Sequence, residues 1–274
     1  MITIIYGNVG MGKTCFLAHT LNHFAFDKER NKLMRKAVSE LNGIGFKLTI
    51  PPHCVSANFP LKFRKFGYSP RINRIINPFK LGFTNDFVKT HFSFPYEVIG
   101  ITEAQTYFNS RMSLYYPDWQ SRFFEEHRHN NLDIYLDCQR PNLIDINIRE
   151  LACFIEICNL KIKLNSFNKP CKLVWTIRII ENNFLNEKYL SSGKNDKSCY
   201  SEKKVVADYN VFSLYDSFVM KPKFYDQRYE KDIDYLPGFT TERSINGFKE
   251  FNKKITDAIP QGFYQKRGAK TDKG

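Results

Sequence analysis

At 274 residues with 42% hydrophobic content, the chain can bury one large α/β domain with an appendage, or two small domains. Its 41 Lys and Arg against 28 Asp and Glu, a formal charge of +13, point to a polyanionic partner, nucleic acid first and an anionic membrane face second. Seven scattered cysteines without CxxC or Cys/His metal spacing exclude a disulfide scaffold and read as reduced cytosolic thiols, and the absence of any run of about 18 apolar residues excludes an encoded membrane span.

Residues 2–6, ITIIY, are β-branched and aromatic and stop at Gly7, which predicts a buried parallel strand feeding a loop. The next residues, GNVGMGKT, match G-x-x-x-x-G-K-[ST] at every fixed position, between a strand and a helix, the context that pattern requires. Glycines there let consecutive N–H groups wrap phosphate oxygens at the positive end of the helix dipole. Gly7, Asn8, Val9, Gly10, Met11, Gly12, Lys13 and Thr14 are therefore the candidate ATP contacts, with Lys13 reaching the β- and γ-phosphates and Thr14 ligating Mg²⁺.

Phe16, Leu17, Leu21 and Phe24 recur at helical spacing, and a second, charged helix from Asp27 to Leu41 is ended by Asn42 and Gly43. HCVSANFP reads as a strand closed by Pro60. Between Leu61 and Phe94 no period is evident, but Lys62, Arg64, Lys65, Arg71, Arg74 and Lys80 alternate with Phe63, Phe66, Tyr68, Phe79 and Phe83. Cations meet phosphates while bases stack on rings. Lys62, Arg64, Lys65, Arg71 and Arg74 are thus candidate DNA contacts, although a solvated basic face over an aromatic mini-core would look similar.

VIGIT is a third strand running into Glu103, a candidate to orient or deprotonate an attacking water. Thr102 stands where a metal-supporting aspartate is expected, and its hydroxyl can still accept a hydrogen bond from a metal-bound water although it brings no negative charge. YYPDWQSRFFEEHRH predicts a helix with Pro117 near its first turn; the closing His127, Arg128 and His129 lack companion ligands and read as a basic patch rather than a metal site. LDIYLDCQ is a fourth strand, with Gln139 a candidate sensor of the γ-phosphate or the water. Asp137 shares a strand face with Gln139 and Asp133. If the fourth strand adjoins the third, Asp137 supplies the charge missing at Thr102; otherwise it is a salt-bridged or edge carboxylate. Arg149, Arg111 and Arg122 are candidates to act on a neighbouring subunit's γ-phosphate, and the sequence does not choose among them.

LACFIEICNLKIKL and KLVWTIRII, separated by NSFNKP, predict a hairpin of long strands. Past Ile180 the apolar density falls up to Val205, which predicts a linker or mobile loop, and QKRGAKTDKG closes the chain in an unstructured style. The expected architecture is α/β: a P-loop NTPase domain over residues 1–180, with a mainly parallel sheet flanked by helices, then a linker and irregular C-terminal extension over 181–274.

The phosphate loop, SANFPL, VIGITEAQTYFNSR and above all FFEEHRHNNLDIYLDCQRPNLIDINIRE together resemble the zonula occludens toxin family, which includes the filamentous-phage assembly ATPases. The resemblance covers residues 1–160, and YNVFSLYDSF is weakly similar to the tyrosine-serine motif that closes the family's cytoplasmic domain. It implies an ATP- and Mg²⁺-dependent motor related to the hexameric DNA-pumping ATPases. Such a motor would form a ring of like subunits in the host cytoplasm or against the inner membrane. It would move phage DNA, single-stranded DNA being favoured, with a membrane or capsid protein as further partner.

Carried onto this chain, the resemblance gives Lys13 and Thr14 nucleotide and Mg²⁺ binding, Glu103 the catalytic acid and Gln139 the sensor. Two departures stand out. Members that assemble filamentous phage typically continue through a membrane span, absent here, and the family's Asp-Glu pair is Thr102-Glu103, with Asp137 where members usually carry an apolar residue. Losing an outer-shell metal group costs about 10–100-fold, whereas losing a general base costs about 10²–10⁴. A working, metal-hungry ATPase is expected. The alternatives are an ATP-binding scaffold with little turnover, and a host nucleotide-binding protein or small-molecule kinase.

Overall fold

The computed structural model describes residues 1–43, 50–63, 71–76, 78, 81, 93–111, 118–192 and 196–215. In chain order these form β1 (Ile2–Tyr6), α1 (Lys13–Ala25), α2 (Lys28–Gly43), β2 (Val55–Ala57), β3 (Lys62–Phe63), β4 (Arg71–Ile72), β5 (Arg74–Ile75) and β6 (Val98–Ile101). They continue as α3 (Asp118–Glu125), β7 (Asp133–Asp137), α4 (Ile146–Glu150), β8 (Ala152–Leu164), β9 (Pro170–Ile180), α5 (Asn183–Ser191) and β10 (Ser201–Asp208).

β1 is buried at all five positions because it runs parallel between β8 and β7, with helices over both faces. The main sheet has the order β10-β9-β8-β1-β7-β6-β2-β5. From β8 to β5 every pairing is parallel, while β9 and β10 add antiparallel at one end. The lone β3–β4 pair lies apart. On one face α1 and α2 bury Leu17, Leu21, Met34 and Val38 with Trp175 and Leu214. On the other, Phe108, Phe123, Phe124, Ile148 and Tyr189 pack beneath α3, α4 and α5.

The expected linker from 181 to 205 is instead part of this architecture. Asn182 caps α5 by accepting from the Leu185 N–H at 2.9 Å, and β10 pairs with β9 from Ser201–Ile179 to Asp208–Lys172. Its SEKKVVAD sequence is polar because β10 is an edge strand, where lysines deter further pairing. Tyr209–Leu214 then forms a 3₁₀ turn that buries Val211 and Leu214 against α1. Pro117 and everything from residue 216, including the QKRGAKTDKG end, lie outside the described residues. Among the described residues no helix is long and apolar enough to cross a membrane, and all seven cysteines are free.

Candidate nucleotide site

β1, β7 and β6 end along one edge of the sheet, and the segments that follow them converge there. Parallel register sets Ile5 beside Asp137 and Ile101 beside Leu136. The fourth expected strand therefore lies between the loop strand and the Glu103 strand, and Asp137 and Thr102 stand at the same height.

The loop from Gly7 to Thr14 has the shape its glycines were expected to allow. Gly12 sits at φ +71° as the N-cap of α1, and no side chain caps that helix start. Its first-turn N–H groups are left to a ligand in the loop, at the positive end of the helix. Lys13 Nζ donates to the Gly7 and Asn8 carbonyls at 3.1 and 3.2 Å, which holds the ammonium within the loop. Asn8, Val9 and Gly10 are exposed and Met11 is half-buried.

Thr14 Oγ1 donates to Asp137 Oδ2 at 2.8 Å, and Thr102 Oγ1 donates to the same oxygen at 3.1 Å. The two hydroxyls are 3.4 Å apart. Asp137 is 1% exposed. Burial pushes its carboxyl up to about 6; the Thr14 and Thr102 hydrogen bonds and the Lys13 ammonium oppose that rise, and the Glu103 charge adds to it. A buried carboxylate beside two hydroxyls is a hard-oxygen donor set. It fits Mg²⁺, which takes few protein ligands and completes its shell with phosphate oxygens and water. Among the described residues no cluster of three or more His, Cys, Asp or Glu side chains could hold a metal.

Asn58, a residue the sequence reading did not single out, fixes Thr102. Its Nδ2 donates to the Thr102 carbonyl at 3.0 Å and its Oδ1 accepts from the Thr102 N–H at 2.9 Å. The signal was a second polar residue, after Ser56, inside SANFPL at the end of a short strand. Glu103, next along, is exposed and takes the left-handed conformation at φ +52°, starting the 3₁₀ turn Ala104–Thr106. A non-glycine residue held there costs on the order of 1 kcal/mol or more. The Gln105 amide donates to its carboxylate.

Gln139 is exposed two residues beyond Asp137. Asp133, at the other end of β7, is bound by Arg30 at 2.6 Å. Arg149 is not near its own phosphate loop: α4 leads directly into β8, whose Ala152 is level with Ile2, so Arg149 stands at the opposite edge of the sheet. Arg111 and Arg122 are exposed.

The basic segment divides. Lys62 is exposed on β3; Arg64, Lys65 and the Arg71 side chain lie outside the described residues. Arg74 is corrected: it is 5% exposed, pairs with Glu97 at 2.8 Å, donates to Ser56 Oγ at 2.9 Å and lies over the Phe94 ring. Its guanidinium is committed to a buried carboxylate and cannot reach a phosphate backbone. The HRH patch also shrinks. His127 is 1% exposed with Nδ1 2.6 Å from the Phe124 carbonyl, and burial lowers its pKa, which disfavours its charged form; Arg128 and His129 remain exposed.

A family model described as zonular occludens toxin (Zot) matches residues 1–166. No curated protein sequence matches the chain. Among solved structures, the N-terminal domain of zonular occludens toxin from Neisseria meningitidis is 22% identical, with 78% of this chain and 98% of that one covered and a TM-score of 0.41. The genome packaging NTPase B204 from Sulfolobus turreted icosahedral virus 2, in complex with ATP-gammaS, is 12% identical over 74% of this chain and 95% of that one, with a TM-score of 0.35. With the family model spanning more than half of the sequence, the chain belongs to the zonular occludens toxin (Zot) family.

Proposed function

We propose that this protein is an Mg²⁺-dependent ATPase that moves phage DNA during virion assembly, acting as a ring of like subunits. The observation that carries the reading is the single carboxylate oxygen of Asp137, held by the hydroxyls of Thr14 and Thr102 beside the phosphate loop. In this reading the backbone N–H groups of Gly7–Thr14 bind the phosphates and Lys13 neutralises the β- and γ-oxygens. Thr14 and Asp137 hold the metal, with Thr102 hydrogen-bonded to that carboxylate. Bound Mg²⁺ supplies neutralisation of the charge that develops on the transferred phosphoryl group. Glu103 accepts the proton of the attacking water, and Gln139 orients that water. Arg149, at the far edge of the sheet, serves the neighbouring subunit's site, with Arg111 and Arg122 as rivals for the role.

Mg²⁺-dependent ATP turnover, with and without single-stranded DNA, tests this. Lys13→Ala is expected to lose nucleotide binding. Glu103→Gln is expected to retain binding while turnover falls by about 10²–10⁴. Wild-type protein that binds ATP but never hydrolyses it, with or without DNA, would overturn the motor and leave an ATP-binding scaffold. A monomer on size-exclusion with an ATP analogue would overturn the ring.

A further inference from the structure

We infer that the β8–β9 hairpin is a nucleic-acid arm, gripping the phosphodiester backbone of a single strand through Lys161, Lys163 and Lys172. The identity of that strand as phage DNA rests on the function proposed above; the arm itself rests on four observations.

Glu156 of β8 is level with Tyr6, the last residue of the loop strand. Ile157–Leu164 therefore continues past the edge where the nucleotide site lies, a reach of about 26 Å at the usual rise per residue. Residues 161–170 are exposed throughout.

Between Glu156 and Glu181 the chain carries no acid but has Lys161, Lys163, Lys169, Lys172 and Arg178. Register sorts these onto faces. Lys163 lies opposite Lys172 and Lys161 opposite Val174, and β10 sets Lys204 opposite Thr176. Leu173 and Trp175 alternate with them and are buried on the core side, so the lysines share the outer face. Of the carboxylates on that face, Glu202 and Glu156 are engaged by Arg178 at 3.4 and 3.9 Å, and Asp208, level with Lys172, accepts from the Asn210 N–H at 2.8 Å and keeps its charge beside that lysine. Like charges directly opposite each other, as at Lys163 and Lys172, destabilise a strand pair. A polyanion lying across them removes that cost.

The distribution of apolar side chains selects the kind of polyanion. Ile162 and Leu164 are 49% and 55% exposed, but strand alternation puts them on the face away from the lysines; on the lysine face Val206, level with Val174, adds a single short apolar side chain at 53% exposure. A lipid surface needs apolar and cationic groups presented on the same side. A phosphodiester backbone needs a row of cations, and stacking needs a ring; Phe167, at the hairpin turn, is 81% exposed.

The arm is also joined to the phosphate loop. A Cβ on Gly7 would lie 2.7 Å from the Ile157 carbonyl oxygen, and one on Gly12 would lie 2.9 Å from Leu160 Cδ2 and 3.3 Å from Trp175 Nε1. The strands that carry the lysines thus lie directly against two loop glycines and leave no room there for a side chain.

The test is fluorescence anisotropy of a labelled oligothymidylate against a salt series, comparing wild type with the Lys161→Gln/Lys163→Gln/Lys172→Gln variant and the corresponding triple Arg variant. Each single-strand phosphate contact contributes about 0.7 to the slope of log K against log salt. The Gln variant is expected to lose about 2 from that slope and the Arg variant to keep it, with binding of a fluorescent ATP analogue unchanged in both. Unchanged slope in a Gln variant that still binds the ATP analogue overturns the arm. So does wild-type protein that binds no oligonucleotide, or an Arg variant that loses the slope. Flotation with phosphatidylserine vesicles is the remaining arm: loss of vesicle binding with oligonucleotide binding intact identifies a lipid surface instead. None of these readouts needs hydrolysis, so an inactive ATPase with a normal slope change would refute the motor and spare the arm.

Discussion

Exchanging the residues at 102 and 137 tests whether the site's negative charge has moved from one strand to the next. Asp137→Asn keeps an oxygen to accept from Thr14 and Thr102 but removes the charge, and the expected cost is about 10–100-fold in Mg²⁺ requirement. Thr102→Asp alone adds a second carboxylate where the hydroxyl now lies 3.1 Å from Asp137 Oδ2. Two like charges about 4 Å apart repel by about 4 kcal/mol at an effective dielectric of 20, so this variant is expected to be weakly folded or to retain a proton at neutral pH. The double variant Thr102→Asp/Asp137→Asn again has one carboxylate at the same height of the sheet. It is expected to recover most of the Mg²⁺ response that Asp137→Asn loses. ATP turnover titrated with Mg²⁺ at fixed ATP reads all four proteins and yields the coupling directly. A wild-type titration for Asp137→Asn, or a double variant no better than Asp137→Asn, would refute the relocated charge.

The same carboxyl predicts a pH-dependent stability in nucleotide-free, chelator-treated protein. Its folded pKa is raised from 3.8 to about 6, so the penalty for ionising it is absent below about pH 4 and complete above pH 6, reaching about 3 kcal/mol. Asp137→Asn should therefore raise the urea midpoint at pH 8 and leave it unmoved at pH 4; equal midpoints at pH 8 would contradict this. Asn58→Ala strands the buried N–H and carbonyl of Thr102 and should cost about 2–4 kcal/mol in urea unfolding, a loss under about 0.5 kcal/mol being incompatible with the clamp. Arg74→Met leaves Glu97 buried and unpaired and should cost about 3–5 kcal/mol. Adding Glu97→Leu should restore much of that, and a mild single variant would remove the buried pair from the account.

How much was legible depended on how far apart in sequence the interacting groups lie. β1, the glycine loop and α1 are contiguous, and their apolar period and glycines identify them without reference to the rest of the chain. Asp137 could be flagged because it interrupts an apolar strand, but its role needed the strand order. Thr14, Thr102 and Asp137 meet only after β7 enters between β1 and β6. Arg74 misled for the converse reason. It sits among surface-type cations, and its partner Glu97 comes 23 residues later, across a segment without a period. β10 and α5 were read as linker because an edge strand and a half-exposed helix carry little of the apolar signal on which sequence reading depends.

The placement of β7 bears on how such sites diverge. Strand ends at equal height along a parallel sheet form a comb, and a ligand above the comb meets a charge from whichever tooth bears it. Substitutions on adjacent teeth are then near-equivalent in space although distant along the chain. A lineage can pass through an intermediate with both acids, or with neither, and emerge with its metal-side charge one tooth over. A linear motif scores that descendant as broken, while the ligand, which senses only position, meets the same charge.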